Sequence, residues 1–145
     1  MRLKISCSLF IFFLVCVIPQ YTFAAFRNTN DKIVKILAIG NSFSADAIEQ
    51  NLYDLAKEKN IKVIIANLYI GGAPLTLHVK NVEENKPAYS YRKTSIDGIK
   101  STTDKVSIET ALNDEEWDYI SFQQASPLSG QIQTIEASLP TLFTY

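Results

Sequence analysis

Apolar residues in this chain gather in short, nearly unbroken runs rather than alternating with polar ones. The clearest are Ile33 to Ile39 (IVKILAI), Val63 to Ile70 (VIIANLYI) and Tyr119 to Phe122 (YISF). Runs this short and this apolar predict strands buried on both faces, as in a parallel sheet. Between them the period changes. Ile48, Leu52, Leu55 and Ala56 fall at helical spacing with Glu49, Asp54, Lys57 and Glu58 opposite, which predicts an amphipathic helix ending near Asn60. Leu75 to Glu84 and Ser107 to Asn113 read as further helices. From Gln131 onward, Ile132, Ile135, Leu139, Leu142 and Phe143 share one helical face, with Pro140 placed to kink it.

Strand, helix and strand in that order predict parallel pairing by connection length and handedness. The stretch AYSYRKTSIDGIKSTTDKVS, residues 88–107, is different: it reads as two short strands around an Asp97-Gly98 turn, a β-hairpin inserted outside the main sheet. The predicted fold is therefore α/β and three-layered, with a central parallel sheet. It corresponds to the N-terminal portion of a doubly wound, flavodoxin-like domain.

The opening residues stand apart. Arg2 and Lys4 precede an apolar run from about Leu9 to Ile18, then Pro19, Gln20 and the small-residue stretch TFAA, the layout of a secretory signal peptide. Cleavage after Ala24 leaves small side chains where a signal peptidase needs them, so 1–24 is assigned to the signal peptide and 25–145 to one domain, exported to the periplasm or beyond the cell and free of the membrane once cleaved. Cys7 and Cys16, the only two cysteines, both fall inside the leader, so the mature chain has no thiol and no disulfide. Cleavage removes Arg2 and Lys4 from the 14 basic residues and none of the 15 acidic ones, so 12 face 15 and the net charge moves from -1 to -3. No basic run is interleaved with aromatics, which argues against a nucleic-acid partner. With His78 as the single histidine, no metal site and no cofactor are expected.

The three predicted parallel strands end in small or amide residues: GNSFS, GGAPL and QQAS. Function in an open parallel sheet gathers at the carboxyl ends of the strands, so these corners should meet at one rim. Taken singly, each has a bland reading. Ser44 or Asp46 could cap the helix, Gly71-Gly72 could be a turn with positive φ, and Gln123-Gln124 could satisfy backbone groups at a strand end. GNSFSAD lacks the second Gly and the Lys of a phosphate loop, which disfavours a small nucleotide-binding domain. Ser44 also stands where a strict nucleophile elbow would have its last Gly.

Strand-GNSFS-helix, strand-GGAPL and WDYISFQQASPLSG, in that order and spacing, resemble the first three blocks of the SGNH/GDSL hydrolase superfamily. More narrowly they resemble the family of secreted proteins called domain of unknown function 4886, over roughly Lys35 to Tyr145. The resemblance implies an SGNH hydrolase fold, incomplete at the C-terminus. It also implies roles: Ser42 as nucleophile, with its own N–H in an oxyanion hole; Gly72, or else Gly71, giving a second N–H; and Gln123, or failing that Gln124, in the place of the superfamily's Asn. Asn41, His78 and Gln124 become candidate substrate contacts. Two departures weigh against activity in this chain: Gln replaces Asn, and the superfamily's Asp-x-x-His is not in the sequence. The implied substrate is a small-molecule or glycan ester, with carbohydrate O-deacetylation as one form. The alternative is a non-catalytic glycan-binding relative that reuses the same rim.

Overall fold

The computed structural model describes residues 32–145, so the expected signal peptide lies outside the described residues. The elements run β1 (Ile33–Gly40), α1 (Ser42–Ser44), a π-helical turn (Ala45–Glu49), α2 (Leu52–Glu58), β2 (Lys62–Tyr69) and α3 (Leu75–Glu83). They continue with β3 (Tyr89–Thr94), β4 (Lys100–Val106), α4 (Ile108–Leu112), β5 (Tyr119–Phe122), a 3₁₀ turn (Ser126–Leu128), α5 (Ile132–Glu136) and α6 (Leu139–Thr144).

One five-stranded sheet orders them β4-β3-β2-β1-β5. The expected parallel core is present: β1 pairs with β2 from Ile33↔Lys62 to Gly40↔Tyr69, and with β5 from Ile36↔Tyr119 to Ile39↔Phe122. The hairpin is not outside the sheet, however. β3 runs antiparallel to β2, from Ile65↔Thr94 to Tyr69↔Ser90, and β4 extends the same edge, so the sheet is mixed. The physical reason is the outer edge of β2, whose N–H and C=O groups would otherwise be unpaired in a strand buried over most of its length. Tyr89 and Tyr91, buried beneath α3 and α4, fix the hairpin's register by packing into the core.

Three further expectations are corrected. β5 is not a buried strand: Tyr119 is 65% exposed and Ile120 43%. The helix after β1 is not continuous but passes through the π-helical turn before α2. The C-terminal helix is two short helices separated at Ala137 and Ser138, and Pro140 lies in the first turn of α6, where its missing N–H costs nothing.

Alternation along the strands sends side chains to two cores. Leu37, Ile39, Ala66 and Leu68 face α3, α4 and α6 and meet Leu75, Ile108 and Leu142. Val63 and Ile65 face the other way, onto Ala56, Ile48 and Leu52. Each fully buried Leu or Ile contributes roughly 1.5–3 kcal/mol. Among the described residues no helix is long and apolar enough to cross a membrane.

Candidate functional site

The carboxyl ends of β1 and β2 and the segment after β5 converge as expected. The need for small residues at the first corner is steric. A Cβ on Gly40 would lie 2.8 Å from Ser44 Oγ and 3.0 Å from Gln123 Cβ, so only glycine lets the chain turn there. Asn41 follows and is 1% exposed. Its Oδ1 caps α1 by accepting from the Phe43 N–H at 3.1 Å. Its Nδ2 donates to the carbonyl of Ala73 at 3.0 Å and to that of Gln124 at 3.3 Å. One buried amide thus ties together all three loops, and both ends of it are occupied by the protein itself.

The cap leaves Ser42 exposed as the first residue of α1. At that position its N–H has no intrahelical acceptor. Ser42 borders a cleft of about 390 Å³ that is also lined by Phe43, Gly72, Pro74, Ser126 and Leu128. None of the lining residues carries a charge. Gly72 has φ +68, and a Cβ built on it would meet nothing within 4 Å, so its backbone is open to the cleft. Gly71 is in ordinary backbone space, with the Tyr69 hydroxyl 3.3 Å from its would-be Cβ.

The other residues singled out in the sequence are not brought to this cleft. Gln124 is a pin: its Oε1 accepts from the N–H groups of Leu75 and Ala125, at 3.0 and 2.9 Å, and its Nε2 donates to Thr134 Oγ1 at 3.0 Å. Gln123 does not line the cleft. Its Cβ lies beside Gly40, and its Oε1 is buried without a partner among the described residues.

His78 is 0% exposed, inside α3, with Nδ1 2.8 Å from the Tyr89 hydroxyl. Asn81 Nδ2 donates to the same hydroxyl at 3.2 Å, so the three side chains form one buried cluster. Burial lowers the pKa of His78 to about 4. It is a neutral core histidine that touches neither Ser42 nor the cleft.

Sequence reasoning overlooked a second polar group behind the corner. Ser44 Oγ lies 2.7 Å from the Asn41 carbonyl and 2.9 Å from Asn67 Oδ1; Asn67 Nδ2 donates to Glu49, and Arg92 Nη1 reaches both Glu49 oxygens at 3.4 Å. The visible signal was Asn67 itself, a lone amide in an otherwise apolar strand. Among the described residues no three His, Cys, Asp or Glu side chains are grouped to hold a metal.

Comparison with known proteins places this geometry in a family. No curated protein matches the chain. A crystal structure of a DUF4886 family protein from Bacteroides uniformis is similar at TM-score 0.77 and 54% identity, over 79% of this chain and 44% of that one. The chain therefore spans less than half the length of that relative. Residues 35–145 match the description "Domain of unknown function (DUF4886)", and the chain belongs to that family.

Proposed function

We propose that this chain carries the nucleophile-bearing part of an exported serine hydrolase of the SGNH type, acting on neutral esters such as O-acetylated carbohydrates. One observation carries the reading: Ser42 and the positive-φ Gly72 border the same uncharged cleft at the carboxyl ends of neighbouring parallel strands. In this reading Ser42 Oγ attacks the acyl carbon as a base removes its proton. The developing oxyanion is met by the N–H groups of Ser42 and Gly72, and the alcohol leaves before water releases the acyl group. Gln123 is not at the cleft, so the proposal rests on two backbone donors. Phe43, Pro74 and Leu128 suit the apolar faces of a sugar ring or acyl chain, and the absence of lining charge favours uncharged substrates.

The base is the unfilled role. His78 is buried against Tyr89, and the Asp-x-x-His pair of the superfamily is not among these 145 residues. The burial of His78 away from Ser42 favours a second reading, in which the same cleft binds a glycan ester without cleaving it.

A fluorophosphonate probe tests the first. In a context that supplies a base, wild type labels at Ser42, and Ser42→Ala loses labelling and at least ~10³-fold of ester turnover. Turnover unchanged by Ser42→Ala would remove Ser42 as nucleophile. Saturable binding of an acetylated oligosaccharide without turnover would establish the glycan-binding reading.

A further inference from the structure

We propose that the polar chain Ser44–Asn67–Glu49–Arg92 is a positioning device through which the β-hairpin sets the conformation of the Ser42 loop; its consequence for catalysis rests on the hydrolase reading above. Asn67 is 0% exposed in the middle of β2. A side-chain amide there is costly unless both of its ends are bonded, and both are: Nδ2 donates to Glu49 and Oδ1 faces Ser44 Oγ at 2.9 Å.

The chain has a direction, set by charge. A carboxylate only accepts, so Glu49 obliges Asn67 to present its NH₂ group, which leaves the Asn67 oxygen facing Ser44. The single hydroxyl proton of Ser44 is then drawn between two acceptors, Asn67 Oδ1 and the Asn41 carbonyl, the latter at 2.7 Å. Asn41 is the residue whose amide holds the three loops together.

The hairpin holds the other end. Arg92 on β3 lies 3.4 Å from Glu49, with its guanidinium 3.8 Å above the Tyr69 ring, and Lys100 on β4 donates to the Glu49 carbonyl at 3.0 Å. Glu49 is the last residue of the π-helical turn, a rare geometry that recurs at functional sites. Two cations from the hairpin therefore grip the one residue that orients Asn67. A surface ion pair serving stability alone would need neither the buried amide nor the link to Ser44 and Asn41.

The test uses the mature chain, in a context that supplies a base for the second of two readouts, on Glu49→Gln, Arg92→Met and Arg92→Lys. The first is the set of ¹⁵N resonances of the Asn67 side-chain amide and of the Phe43 and Ser44 backbone amides. The second is the rate of fluorophosphonate labelling at Ser42. Glu49→Gln, which keeps the shape but permits either amide orientation, shifts all three sets of signals and slows labelling about tenfold, the scale of a small misplacement of a reacting group. Arg92→Met does the same with an unchanged melting temperature, while Arg92→Lys restores the Phe43 and Ser44 signals toward wild type. Phe43 and Ser44 signals identical to wild type in both Glu49→Gln and Arg92→Met overturn the proposal, whatever the labelling shows. Shifted signals with no labelling in any protein, wild type included, uphold the positioning chain and remove the hydrolase reading instead.

Discussion

His78 shows at the scale of one residue how burial decides chemistry. With its pKa lowered to about 4 from 6.5, the folded protein holds it neutral where the unfolded chain would protonate it. The sign follows from linkage: below pH 6.5 the unfolded state binds the extra proton, so the stability tied to a neutral His78 is complete above that pH and is lost as pH falls toward about 4. The loss amounts to up to about 3 kcal/mol. Urea titrations of wild type and His78→Leu across this window should show the wild type losing more stability on acidification. A stability difference independent of pH would mean that His78 is not held neutral by the fold.

The same residue shows where reading the site from sequence stopped. That Ser42 and Gly72 would meet at one rim was legible because a serine at a strand-to-helix corner and a Gly-Gly after a buried strand each say what the backbone must do. The surroundings of His78, Gln123 and Gln124 were not, because they turn on which way a side chain points. Successive residues at a strand end face opposite ways, so Gln123 falls beside Gly40 while Gln124 reaches the Leu75 N–H and Thr134. The cap was expected at Ser44 or Asp46 and is made by Asn41, whose clamp on the Ala73 and Gln124 carbonyls also depends on contacts 32 and 83 residues away.

At the scale of elements, the acidic lead-in to β5 is a clamp rather than a solvated run. Lys93 on β3 reaches Asp114 at 2.6 Å and Glu115 at 2.7 Å; Lys35 on β1 reaches Glu115 at 2.7 Å, and Lys32 reaches Asp118 at 2.7 Å. Burial alone would raise Asp114, but hydrogen bonds from Lys93 and Tyr91 hold it below the usual carboxylate range, and Lys35 and Lys93 do the same for Glu115. Folded pKa values that are depressed contribute stability above the unfolded carboxylate range and lose it as pH falls through the folded values. Lys93→Met should therefore cost about 1 kcal/mol near neutral pH, a figure discounted because Asp114 is partly exposed, and should cost less in acid, where the carboxylates are protonated. Thermal melts at the two pH values read the difference; an equal cost at both would make Lys93 a packing residue only.

The hairpin that carries Lys93 was correctly read as a hairpin and wrongly placed. Alternation and the Asp97-Gly98 turn are local signals, whereas pairing with β2 follows from that strand's need for partners along its whole length. The break between α5 and α6 was misplaced for a similar reason. Pro140 is compatible with a first turn as well as with a kink, and only packing chose between them.

At the scale of the whole molecule, the two edges of the sheet are unlike. One ends in β4, whose residues are polar and mostly exposed: KSTTDKV carries two lysines and an aspartate, the composition that discourages edge-to-edge pairing. The other ends in β5, which among the described residues pairs only with β1 and presents Tyr119 and Ile120 to solvent. Beside it lies an apolar groove of about 160 Å³ lined by Ile108, Leu112, Ile120, Phe122, Leu142 and Phe143, with Phe143 70% exposed. An unpaired strand with aromatic and β-branched side chains next to an apolar groove is a template for another chain. Sedimentation velocity on the mature chain should therefore show association that grows with concentration into the range of about 100 μM, well within reach of an edge-strand contact. Tyr119→Lys and Ile120→Lys place a charge on exposed strand positions at little cost to the fold and should return the chain to monomer. Association that persists unchanged in both variants would locate the contact elsewhere, and a wild type that stays monomeric throughout would mean that β5 is guarded despite its exposure.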